Sequence, residues 1–121
     1  MYKVLIAEDN ALNMRLFKDL LEMKKAEVIC VDKGRNVMRS VKKYHPDLVL
    51  MDIHLDNISG IDLIKALKAN KETKNIPIIA LTAFVMKNDK EEIMNSGCEG
   101  YMSKPIAIDS FLGLVEKFIP V

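Results

Sequence analysis

The chain has no tryptophan, two cysteines, four prolines and five glycines in 121 residues. Cys30 and Cys98 show no C-x-x-C spacing. That argues against a disulfide framework or a thiolate metal site, and both read as small buried thiols in a reducing compartment. No apolar run approaches the roughly 20 residues of a membrane span. The N-terminus reads at once as a strand pattern, so no signal peptide is expected there. The formal charge is only +1, so no general pull toward nucleic acid or a membrane surface follows. Repeats and low-complexity tracts are missing too. A G-x-G-x-x-G run is absent, which counts against a dinucleotide binder.

What remains is an ordinary soluble composition, half apolar and 29% charged, long enough for one domain with a real core. The expected domain is the whole chain, 1–121. Its centre is Asp47-Leu-Val-Leu-Met-Asp52, an apolar run that reads as a strand buried on both faces. A carboxylate at the end of such a strand needs a partner or a use. On its own, Asp52 could simply turn the loop 53–60.

Short apolar runs recur at Lys3–Ala7, Glu27–Val31, Ile76–Leu81 and Glu99–Met102, separated by helical spacing. Leu12, Leu16 and Leu20 lie four apart with Phe17 and Leu21 beside them; Val37, Met38 and Val41 mark a second helix. Ile61, Leu63, Ile64 and Leu67 give a third, 86–96 a weakly apolar fourth stopped by Gly97, and Phe111 to Ile119 the clearest stripe. The methionines read as core filler. Five strand–helix repeats imply an α/β fold, one doubly wound flavodoxin-like (CheY-like) domain. Its parallel sheet would have the order 2-1-3-4-5, with helices on both faces.

In that sheet Glu8 and Asp9 follow the first strand, Asp52 ends the third, Thr82 the fourth, and Lys104 follows the fifth. All fall on one edge, where open α/β sheets bind ligands. Three carboxylates together require a compensating cation, and an oxygen-rich anionic set suits Mg²⁺. Three negative charges would balance one divalent ion plus Lys104. Such a site can hold a phosphoryl group, with Asp52 as nucleophile and Thr82 and Lys104 on its oxygens.

Glu8-Asp9, Leu-Met-Asp52, Leu-Thr82-Ala83 and Gly97-Cys-Glu-Gly-Tyr-Met-Ser-Lys104-Pro105 together resemble the receiver domain of two-component response regulators, from Lys3 to Ile119. The stretch from Ile6 to Glu22 is similar to stand-alone DivK-like receivers of bacterial cell-cycle phosphorelays. The resemblance implies a phosphoacceptor at Asp52 and Mg²⁺ (with Mn²⁺ as a substitute) on Asp9, Asp52 and the His54 backbone carbonyl, with Glu8 acting through water. Thr82 and Lys104 would bind the phosphoryl group, and Tyr101 would be a mobile aromatic on the output face. It further implies a histidine kinase or phosphotransfer protein as donor and a protein target on the fourth helix, fifth strand and fifth helix. No nucleic acid, membrane or separate substrate is expected, and the setting is cytoplasmic.

Several readings accompany this one. Asp56 replaces the family's common proline. The His54 side chain reads as solvated, and His45 needs no function. The Lys104–Pro105 bond is expected to be cis, aiming the lysine back over the sheet edge. No output domain is expected beside the receiver. Rival classes are an enzyme on the same fold and a receiver that docks without phosphorylation. A flavodoxin would want a phosphate loop where Glu8-Asp9-Asn10 stands, and an aspartate-nucleophile phosphatase a second acid where His54 stands.

Overall fold

The computed structural model describes residues 1–55, 57–83 and 87–119, with side chains left aside at 87 and 88. Its elements are β1 (Lys3–Ala7), α1 (Ala11–Met23), β2 (Glu27–Val31), α2 (Val37–Tyr44), β3 (Leu48–Asp52), β4 (His54–Leu55), β5 (Ile58–Ser59), α3 (Gly60–Ala69), β6 (Ile78–Thr82), α4 (Lys87–Asn95), β7 (Gly100–Ser103) and α5 (Ile108–Glu116). The main sheet runs β2-β1-β3-β6-β7, every pair parallel. Counting its strands alone, this is the 2-1-3-4-5 order expected from the alternation.

β3 and β6 are buried at every residue, because helices cover both faces of the central strands. One face packs Val37, Val41, Ile64, Leu67 and Ile93 from α2, α3 and α4 against the sheet. The other takes Phe17 and Leu21 from α1 and Phe111 and Val115 from α5. The rings of Phe17 and Phe111 stack with centroids 5.1 Å apart. Each such ring, fully buried, contributes roughly 1.5–3 kcal/mol.

Local chemistry sets the helix ends. Asn10 Oδ1 accepts from the Asn13 amide at 3.0 Å at the start of α1, and Ser59 Oγ accepts from the Asp62 amide at 3.3 Å at the start of α3. Gly97, expected to stop α4, has φ of +98°, a conformation glycine adopts without strain. At the edge away from the carboxylates, Lys68 Nζ donates to the Ile76 carbonyl at 2.9 Å and to Glu99 Oε2 at 2.7 Å. Glu99 Oε1 accepts from the Ile78 amide at 2.7 Å, so this pair ties α3 to the starts of β6 and β7.

Two expectations need correction. The segment after Asp52 is not simply a loop: β4 and β5 form a small antiparallel hairpin. Cys30 is exposed, since it lies on edge strand β2; only Cys98 is buried. Of the described methionines, Met51 and Met102 are buried and Met14 and Met38 pack against the core, whereas Met1, Met23 and Met94 are exposed. Met86, taken as the start of the fourth helix, lies outside the described residues, as does Asp56.

Candidate functional site

Parallel strands deliver their C-terminal ends to one edge, and the charged residues collect there. Glu8 continues β1, its amide donating to the Val31 carbonyl at 3.1 Å. Asp52 is the last residue of β3, opposite Leu81. Thr82 ends β6, and its carbonyl accepts from the Lys104 amide. The Lys104–Pro105 bond is cis, as expected. The lysine returns over the edge and donates to Glu8 Oε1 at 2.6 Å and Asp52 Oδ2 at 3.1 Å. The other Asp52 oxygen, Oδ1, accepts from the His54 amide at 3.1 Å. Glu8, Asp9 and Asp52 each offer an oxygen within 4.8 Å of the others.

Glu8, Asp52 and Thr82 are buried, while Asp9 is exposed. Burial raises the Glu8 pKa above the usual carboxylate value, the neighbouring Asp52 raises it further, and Lys104 pulls the other way. For Lys104, burial works against the ammonium. The hydrogen bond to Glu8 and the charges of Asp52 and Glu8 outweigh it and hold its pKa above that of ordinary lysine. Two buried carboxylates therefore share one cation. The cluster remains anionic and rich in oxygen, a donor set that fits a hard divalent ion such as Mg²⁺. Between Asp9 and the His54–Ser59 hairpin lies a cavity of about 480 Å³.

Glycine makes the floor of this site possible. A Cβ at Gly60 would stand 2.3 Å from the Asp52 carbonyl oxygen and 2.6 Å from the Ile53 Cα. The start of α3 thus presses directly on the backbone behind Asp52.

Residues 4–116 match the response regulator receiver domain. The chain belongs to this family. It is 45% identical over 116 residues to the polar-differentiation response regulator DivK of Brucella ovis, an alignment covering 96% of this chain and 94% of that protein. The corresponding DivK of Brucella anthropi is 44% identical over the same span. Among solved structures, the receiver domain of a sensor histidine kinase from Pseudomonas aeruginosa PAO1 superposes with a TM-score of 0.89. It is 27% identical, covers 99% of this chain and 98% of its own, and has a magnesium ion coordinated in its active site cleft. The chemotaxis response regulator CheY4 of Vibrio cholerae, 24% identical, shares the fold with a TM-score of 0.90 over 98% of each chain. A role in two-component phosphotransfer follows from the family.

The structure brings Glu8, Asp9, Asp52 and Lys104 together, with Thr82 buried at the end of the adjoining strand. The His54 side chain is exposed, as read from the sequence. Tyr101 is half-buried on β7, with Lys90 Nζ 5.9 Å from its ring centroid. Sequence reasoning missed three contributors: the His54 amide, the Gly60 backbone contact and Lys90. The first two are backbone features that side-chain identity does not announce. Ser59-Gly60 at the head of an apolar helical stripe was the available signal.

Proposed function

We propose that the chain accepts a phosphoryl group on Asp52 and switches a protein-binding face, as a regulator in cell-cycle or developmental control. One observation carries this reading: a buried strand-end carboxylate lies against Lys104 at 3.1 Å, with Glu8 and Asp9 beside it. Glu8, Asp9, Asp52 and the backbone carbonyl of His54 would hold Mg²⁺, or Mn²⁺ in its place, with Glu8 acting through water. When bound, the ion supplies charge neutralisation and orientation of phosphoryl oxygens.

This chain's own groups do the rest. An Asp52 oxygen attacks phosphorus; an O–P bond forms as the bond to the donor's histidine nitrogen breaks, and the electron pair leaves with that nitrogen. The His54 amide orients the carboxylate through Oδ1. Lys104 pairs with charge on the phosphoryl oxygens, and the Thr82 hydroxyl binds another. The product is an acyl phosphate, lost later to water, so the chain changes only its own Asp52 and is no enzyme on a separate substrate.

The donor, a histidine kinase or phosphotransfer protein, would dock on α1. There Leu12 is 81% and Leu16 40% exposed, an apolar stripe turned from the core. The downstream protein would read α4, β7 and α5, with Tyr101 and Thr82 as the moving parts. No nucleic acid or membrane enters this scheme, and a cytoplasmic setting suits it. The test is uptake of phosphoryl from acetyl phosphate with and without Mg²⁺, in wild type and Asp52→Asn. Uptake should need both the metal and Asp52; uptake by Asp52→Asn at the wild-type rate overturns the assignment.

A further inference from the structure

The densest charge of one sign outside the carboxylate cluster lies on α2 and the turn before it. Residues 33–45 contain Lys33, Arg35, Arg39, Lys42 and Lys43 and no acidic residue. Elsewhere the chain holds thirteen basic against seventeen acidic residues, so this segment is a positive island in a negative molecule. Val37 and Val41 turn into the core, which leaves Arg35, Arg39 and Lys43 exposed in a line at four-residue steps. At helical rise these steps are about 6 Å, giving a stripe about 12 Å long. Lys43 Nζ lies 5.1 Å from the ring centroid of Tyr44, itself 37% exposed.

Helix stability does not account for this stripe. Lys42 and Lys43 suit the C-terminal end of the helix dipole, but Arg35 precedes the first turn, where a cation is unfavourable. Arg39 Nη2 donates to Asn36 Oδ1 at 2.7 Å. Among the described residues, no carboxylate pairs with Arg35, Arg39, Lys42 or Lys43.

We propose that α2 docks a short acidic segment of a partner protein. Carboxylates at four-residue steps on a helix repeat at the same spacing as the cations. A nucleic acid or a lipid surface fits less well. Either would extend beyond the stripe onto exposed Asp32 and Asp47, and onto a surface of the same sign as itself. The stripe lies on the sheet face opposite α1 and α5, so this partner can bind while α1 is engaged. Docking of this kind does not depend on phosphorylation of Asp52.

Fluorescence anisotropy with a labelled helix-forming peptide bearing glutamates at four-residue steps tests the proposal. Wild type and Asp52→Asn should bind alike, and R35Q/R39Q/K43Q should bind about tenfold more weakly. K65Q/K71Q/K74Q, which removes the same charge from exposed sites, should stay within about twofold of wild type. Equal weakening by both triple variants, or no peptide binding by wild type at low salt, overturns the proposal. So does tighter binding to a labelled DNA duplex or to phosphatidylglycerol vesicles than to the peptide.

Discussion

Replacing Lys104 with methionine keeps an unbranched side chain of similar length and removes the ammonium that touches Glu8 and Asp52. Those contacts are 2.6 and 3.1 Å long, to carboxylate side chains 0% and 6% exposed. Stripping one partner from a buried ion pair costs roughly 3–5 kcal/mol. Glu8 can relieve part of this by taking a proton, which sets the expected loss near the lower bound, about 3 kcal/mol at pH 7.5 in chelator. The pH dependence has a definite sign. Glu8 already has a raised pKa in the folded protein. Its contribution to stability is present below its unfolded pKa and is lost as pH rises through the folded value. Without Lys104 that value rises further, so the deficit of Lys104→Met should be small near pH 4.5 and grow toward pH 7.5. Mg²⁺ should recover part of it. Urea unfolding followed by far-UV circular dichroism reads this as a midpoint lowered by about 2 M, at a slope of about 1.5 kcal/mol per M. Equal stability of the two proteins at pH 7.5, or a deficit that shrinks as pH rises, refutes the reasoning.

Gly60→Ala should cost about 2–4 kcal/mol in the same assay and slow phosphoryl uptake, because its Cβ meets the Asp52 carbonyl and Ile53 Cα. Phe111→Ala should cost about 3–5 kcal/mol through loss of the buried stack on Phe17 while leaving phosphoryl uptake unchanged. Thr82→Ala should still be phosphorylated on Asp52 yet lose most of the phosphorylation-dependent change in amide exchange across 87–103. If it fails to take up phosphoryl while that segment still responds to a metal-fluoride phosphoryl mimic, Thr82 belongs to the chemistry instead.

The parallel sheet was legible because its central strands are buried on both faces and therefore uninterrupted in sequence, as in Leu48-Val-Leu-Met. The site was legible because parallel strand ends share an edge, so Glu8, Asp52, Thr82 and Lys104 needed only their strand positions to be brought together. What escaped reading depended on backbone and on edges. The β4–β5 hairpin has only two residues in each strand, too few for a period. Cys30 looked like a core residue by its neighbours Ile29 and Val31, but an edge strand gives half its side chains nothing to pack against. Leu12 and Leu16 share helical spacing with Leu20, yet the buried stripe of α1 is carried by Phe17 and Leu21. Spacing reveals a stripe and leaves open which side of it meets the sheet.

The most direct test of the central claim is intact-protein mass spectrometry after incubation with acetyl phosphate, in Mg²⁺ and in chelator, with fragmentation to locate the modification. The account predicts one added phosphoryl group, at Asp52, only when Mg²⁺ is present, and none on Asp52→Asn. A phosphoryl group on any other residue, or uptake by wild type in chelator at the rate seen with Mg²⁺, contradicts it.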